Sequence, residues 1–274
     1  MHGIEMSRPY APAIWALMLV AAPLAYVIYT KSSYDARTSI SCVVLSSLDP
    51  NQIEQFQLEV GGDRKEQTIL SPEVLARPRE WVVAQERVLS NPVPLTNMDR
   101  TLAQGASQGL VEVYMRTTMG LFARTPQAWF MRRIIGDPGV RRTFDAEYLD
   151  RCDFEVGDRV CGVYVITSRT QPKNRSDGGT TGGEMVVLSL SPPGGWAGPV
   201  VRGSLIVGYN REGNMIQLIN ETVLWREKKE KPVFLEGVVG RWAHSFMVQW
   251  MVLRGLEALT ASRIDVRGGL NKRR

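Results

Sequence analysis

The residue types that acid–base or metal chemistry requires are scarce in this chain. Its 274 residues hold two histidines and three cysteines, and His244 is the only histidine beyond the first few positions. An unperturbed imidazole titrates near pH 6.5, which makes His244 the natural candidate for a general acid or base. The competing reading is a hydrogen-bonded histidine with a structural role. The densest polar patch on a strand-like run is Asn220-Glu221-Thr222, followed by Trp225-Arg226. Strand alternation puts Asn220, Thr222 and Leu224 on one face and Glu221, Val223 and Trp225 on the other. One of those faces is expected to line a cavity, and the alternation alone does not say which. Asn220, Glu221 and Arg226 therefore join His244 as candidate catalytic groups, with an ion pair from Glu221 to an arginine on a neighbouring strand as the structural alternative. Tyr164, Trp225, Trp242 and Trp250 are the aromatic candidates for contact with an apolar ligand, although residues of this kind are also what a core is made of.

Several function classes lack their motifs. Cys42, Cys152 and Cys161 do not have metal-ligand spacing, and two histidines are too few for a structural zinc site. A bridge between Cys152 and Cys161 would require an oxidising lumen. The run Gly178-Gly179-Thr180-Thr181-Gly182-Gly183 lacks the lysine of a phosphate loop and reads as a hairpin loop. There is no G-x-S-x-G elbow, no H-E-x-x-H and no G-x-G-x-x-G between a strand and a helix. No metal and no cofactor are expected. Thirty-three basic residues against 28 acidic ones give a formal charge of +5, but they are scattered and form no stripe with interleaved aromatics, so no nucleic-acid partner is expected. Lys228, Lys229, Lys231 and the tail Lys272-Arg273-Arg274 suit a solvated surface or anionic lipid headgroups. Asn174 and Asn220 open glycosylation sequons, which matter only on a lumenal side.

These groups need a frame. The stretch Leu235 to Ser262 predicts one long helix, with Val239, Trp242, Phe246, Trp250, Leu253 and Leu256 as the seam to a core and a narrow polar side at Arg241, His244, Ser245, Gln249, Arg254 and Glu257. Four strand-like runs precede it, Arg159 to Arg169, Glu184 to Leu190, Val200 to Tyr209 and Met215 to Arg226, joined by turn-forming segments as in an antiparallel meander. Thr125-Pro126 opens a helix that ends at Gly136, and Leu110 to Met115 fits either a strand or a helix. Ser71-Pro72-Glu73 reads as a helix start, continued by Trp81, Val82, Gln85 and Val88-Leu89 until Asn91-Pro92. From Pro9 to Thr30 there are 22 uncharged residues, long enough to cross a bilayer once. The expected organisation is a membrane anchor at 1–31, a polar connector with a short helix at 32–109, a cavity-forming α+β domain at 110–262 and a basic tail at 263–274. A curved antiparallel sheet on a long C-terminal helix encloses a cavity, because a twisted sheet does not fill its own concave side.

The strings FEVGDRVCGVYVITSR (154–169), MVVLSLSPP after Gly183-Glu184, NETVLWR (220–226) and EKPVFLEGVVGRWAHSFM (230–247) carry a resemblance. Together they resemble small proteins with one N-terminal span, encoded beside polyketide and other secondary-metabolite genes in filamentous fungi. More remotely, the order of motifs is similar to helix-grip (START-like) domains; an NTF2-like cone is the alternative fold. The resemblance implies a single-pass protein of the endoplasmic reticulum or another endomembrane, acting near other pathway enzymes on an apolar polyketide or terpenoid intermediate. On this view the activity is that of a cofactor-independent cyclase or isomerase. A non-catalytic carrier of apolar ligands and a membrane scaffold are the alternatives. The resemblance assigns no catalytic residue.

Overall fold

The computed structural model describes residues 11–260 except 61–64, 100–108, 171–172, 175–179, 197 and 199–200. Of 11–20, 57–60, 65–67, 173–174 and 180–181 it describes the backbone alone. The protein is α+β, an open antiparallel sheet with a C-terminal helix. The helices are α1 (Ala11–Asp35), α2 (Pro50–Glu54), α3 (Pro72–Ala76), α4 (Leu110–Phe122), α5 (Pro126–Ile134), α6 (Pro138–Arg142), α7 (Ala146–Arg151) and α8 (Val238–Thr260). The strands are β1 (Thr38–Leu45), β2 (Gln57–Val60), β3 (Lys65–Thr68), β4 (Trp81–Ser90), β5 (Val93–Pro94), β6 (Arg159–Val160), β7 (Tyr164–Thr170), β8 (Lys173–Asn174), β9 (Thr180–Thr181), β10 (Glu184–Leu190), β11 (Arg202–Glu212) and β12 (Met215–Glu227). Starts follow local chemistry. Proline holds the first helical position of α5 and α6, and the Thr125 and Asp137 side chains accept the orphan amides of Ala128 and Gly139.

The main sheet runs β1-β4-β12-β11-β10-β7-β6, with β5 beside β12; β2–β3 and β8–β9 are separate two-stranded hairpins. Its two faces read off the register. Cys42 pairs with Glu86, Glu86 with Thr222, Thr222 with Leu205 and Leu205 with Leu188, which places one row of side chains on a single face. That face meets α4 and α8 over the larger core, which includes Tyr114, Met115, Phe154, Val207 and Val252. Tyr114 lies so close to Gly255 that a Cβ there would come within 2.4 Å of its ring, so a glycine lets α4 and α8 approach. The opposite face buries Trp81, Val83, Ile206, Val223 and Trp225 under Leu48, Phe56, Ile69, Leu70 and Val74.

The helix expected from Ser71 to Leu89 is corrected: α3 stops at Ala76, before Pro78, and Trp81–Ser90 is a central strand. A residue ahead of proline is pushed out of the helical region, and Arg77 has a ψ of 57°. Accordingly the stretch expected to be a polar connector supplies β1 and β4 to the sheet and a cover for its second face. Leu110 to Met115 is helical. The expected seam of α8 is rotated: Leu253 is buried with Val248, Met251, Val252 and Leu259, while Trp242 and Val239 are exposed and Phe246 and Trp250 half-buried. Among the described residues no helix is long and apolar enough to cross a membrane. The uncharged run 9–30 begins outside the described residues, as does the basic tail.

Candidate functional site

The sheet face that meets α8 carries a carboxylate at its centre. Glu86 is 2% exposed, in the middle of β4, with Cys42 across from it on β1 and Thr222 on β12. A buried carboxylate needs donors, and three side chains provide them. Glu86 Oε1 lies 2.7 Å from His244 Nδ1, and Oε2 accepts from Ser245 Oγ at 2.6 Å and from Cys42 Sγ at 3.6 Å. A carboxylate only accepts, so Nδ1 donates to it, and in a neutral imidazole held this way Nε2 would be the acceptor. Nε2 makes no hydrogen bond to the described residues, and His244 forms part of a cavity wall. This carboxylate–imidazole arrangement fixes both tautomer and ring orientation. Phe234 packs at 5.2 Å on the other side of the ring.

The cavity lies between the sheet face, α4, α5 and α8, with a volume of about 100 Å³. Met119, Phe122, Met131, Leu205, Met247 and Met251 help make most of its wall apolar, with Asn220 and Thr222 of β12 and His244 of α8 among its polar groups. Asn220 is 2% exposed and its Oδ1 has no hydrogen-bond partner. An orphaned buried acceptor costs stability unless something donates to it. Asn220 and His244 thus put two polar side chains into a largely apolar wall. An engineered apolar cavity of about 150 Å³ holds a benzene ring, so a single ring or a branched end of a chain is the scale that suits this one. Tyr164 is also in the wall, edge-on to Phe122 at 5.7 Å, and burial pushes its phenol well above the usual range. Burial first, then the Glu86 charge, raises the Cys42 thiol, so Cys42 is a donor and not a thiolate nucleophile.

His244, Asn220 and Tyr164 are therefore brought together at the cavity. Glu221 is not: it points to the opposite face, where Gln85 Nε2 and Arg87 Nε donate to it at 2.5 and 2.7 Å. Arg226 is spent on structure, with two 2.7 Å bonds to Glu236 and others to the carbonyls of Glu227, Lys228 and Glu230. Trp225 belongs to the core of the second face, Trp242 is half exposed and stacks on Phe246, and Trp250 packs on the larger core outside the cavity wall. Asn220, buried against the cavity, is no glycosylation acceptor, and the Asn174 side chain lies outside the described residues. Cys152 and Cys161 are free thiols raised by burial, Cys152 to about 11. Glu86 is the residue the sequence reading missed. Among the described residues no group of His, Cys, Asp and Glu is placed to hold a metal ion.

Comparison with known proteins adds no assignment: no family model, no curated protein and no solved structure matches the chain.

Proposed function

We propose that the protein binds a small, largely apolar molecule carrying a weakly acidic hydroxyl, such as an enol or phenol, and moves a proton on it without a cofactor. The observation that carries this reading is the Glu86–His244 pair, 2.7 Å apart, with His244 in the wall of a largely apolar cavity. The ligand hydroxyl would give its proton to Nε2, and the imidazolium so formed is stabilised by the carboxylate behind it. The resulting enolate is the reactive form for isomerisation or ring closure, after which His244 returns the proton to carbon or oxygen. Asn220 Oδ1 would accept from a second donor and fix the ring. This narrows the cyclase or isomerase expected from the sequence: the cavity suits the reacting ring of a polyketide or terpenoid, not a whole chain. The fungal secondary-metabolite setting, the endomembrane address and the span at 9–30 belong to the same proposal and rest on the sequence. A helix-grip-like frame fits it, since the early strand β4 pairs with the last strand β12 and α8 lies against both.

A carrier is the second reading, favoured by the apolar side chains that make up most of the wall. The test is to incubate the full chain in D2O with ring-sized phenols and enolisable cyclic ketones, following binding by ligand NMR and deuterium uptake by mass spectrometry. Uptake by the wild type that is lost in His244→Gln, with binding kept, supports proton transfer. Binding without uptake in either protein identifies a carrier, and absence of binding rejects the cavity as a ligand site.

A further inference from the structure

The start of α8 presents apolar side chains to solvent on a helix whose other half is core. Val238 is 76% exposed, Val239 79%, Trp242 48% and the preceding Phe234 41%. Core packing does not use them. Contiguous exposed apolar side chains mark a surface that meets another phase or partner.

The contacts of α1 say where this surface lies. Tyr34 stacks on Phe246 at 5.4 Å, and Gln249 Nε2 donates to Asp35 Oδ1 and Thr38 Oγ1 at 2.8 and 2.7 Å. The end of α1 and the start of β1 thus lie against the middle of α8. Trp242 stacks on Phe246, so the apolar start of α8 continues through Phe246 and Tyr34 onto α1, where Leu24, Tyr26, Ile28 and Tyr29 are exposed. Arg241 is on the same turn of α8 as Trp242, and the connector that leads to Phe234 carries exposed Lys228 and Lys231 beside Lys229, which pairs with Glu227. A tryptophan and aliphatic side chains bordered by lysine and arginine match the interface of a bilayer with anionic headgroups.

We infer that Phe234, Val238, Val239 and Trp242 insert into the headgroup–acyl boundary of a lipid bilayer, forming a second membrane contact beside α1. Phe234 also lines the cavity, so this contact brings the cavity wall against lipid and gives an apolar ligand a path that avoids water. The path rests on the cavity reading; the membrane contact does not.

The test uses the full chain in vesicles of zwitterionic lipid, with and without an anionic lipid, carrying bromine at shallow or deep acyl positions. Bromine quenches tryptophan on contact. Comparing the wild type with Trp242→Phe isolates the emission of Trp242, and Trp15→Phe isolates a tryptophan of α1. Quenching of Trp242 by shallow bromines, stronger with anionic lipid and lost in Val239→Glu, is the expected result. Trp242 unquenched while Trp15 is quenched overturns the inference and leaves the α1 anchor. Trp242 protected from both bromine and aqueous acrylamide in a way that depends on protein density overturns it in favour of a second copy. None of these outcomes depends on deuterium uptake in the cavity.

Discussion

Removing both partners of the Glu86–His244 pair should cost less than the two single losses added together. His244→Leu leaves a 2%-exposed carboxylate with Ser245 Oγ at 2.6 Å and Cys42 Sγ at 3.6 Å as its remaining donors. Breaking a buried charged pair from one side typically costs about 3–5 kcal/mol. Glu86→Leu strands His244 Nδ1 and Ser245 Oγ instead, at about 1–3 kcal/mol for each buried group left unpaired. With both replaced by leucine, only Ser245 and the weaker Cys42 lose a partner, and apolar replacement of a whole buried pair is often near neutral. The double variant should thus be more stable than the sum of the singles implies, by about 3 kcal/mol. That is a large fraction of the roughly 5–15 kcal/mol that holds a domain together. Urea unfolding of the four proteins in the same detergent, followed by tryptophan emission, measures this coupling. Singles that add to the double within about 0.5 kcal/mol would refute the argument, because the carboxylate and the imidazole would then be stabilised separately.

Three further outcomes follow from the packing and the ion pairs. Leu253→Ala, at 2% exposure, should lose about 2–5 kcal/mol, whereas half-buried Phe246→Ala should lose less; the reverse order in urea unfolding would restore the register expected from the sequence. Gly255→Ala should cost about 1–3 kcal/mol, because its Cβ would stand 2.4 Å from the Tyr114 ring, and Tyr114→Leu in the same chain should recover part of the loss. Arg226 holds the Glu236 carboxyl below the usual carboxylate range; for Asp35, burial opposes the charge but hydrogen bonds from Lys31 and Gln249 outweigh it. Both pKa values are depressed on folding, so their contribution is full above the unfolded value near pH 4–4.5 and fades as pH falls through the folded values. The melting temperature should therefore drop below about pH 4, and Glu236→Gln should lower it at neutral pH while flattening that drop.

The meander was legible because its signals are local. Alternation in 184–190, 202–212 and 215–227 and the turn residues between them fix strand identity and the two faces, and Asn220, Thr222 and Leu224 do share a wall of the cavity. Strand β4 was harder. The cap and proline at Ser71-Pro72 do start a helix, and the reading carried it through Pro78 into a run whose Trp81, Val82, Val83 and Val88 favour a strand. Glu86 was lost with that strand. A glutamate between Gln85 and Arg87 looks solvated in any sequence; only the helix that crosses over it, 158 residues on, supplies the imidazole that makes its burial tolerable. Glu221 shows the converse, since its pairing with a neighbouring arginine was legible from alternation and its face was not.

The rotated register of α8 has the same origin. Ser245 and Gln249 read as members of the polar side, yet they are 5% and 0% exposed, because each finds its partner off the helix: Glu86 for one, Asp35 and Thr38 for the other. A polar side chain belongs to the buried face when the facing elements satisfy it, and hydropathy along one helix carries no record of them. The displaced apolar residues then need a different neighbour. Trp242 stacks on Phe246, which stacks on Tyr34, so the apolar surface of α8 continues onto α1 and not into the sheet. This is why the helix is apolar on more than one side without lying inside a core. Its second half packs against the sheet and α4, and its first half leaves Val238, Val239 and Trp242 exposed. His244 and Phe234, their rings 5.2 Å apart, sit between the exposed and the buried halves and both belong to the cavity wall, so under the proposed lipid contact an apolar ligand would reach the cavity beside the imidazole.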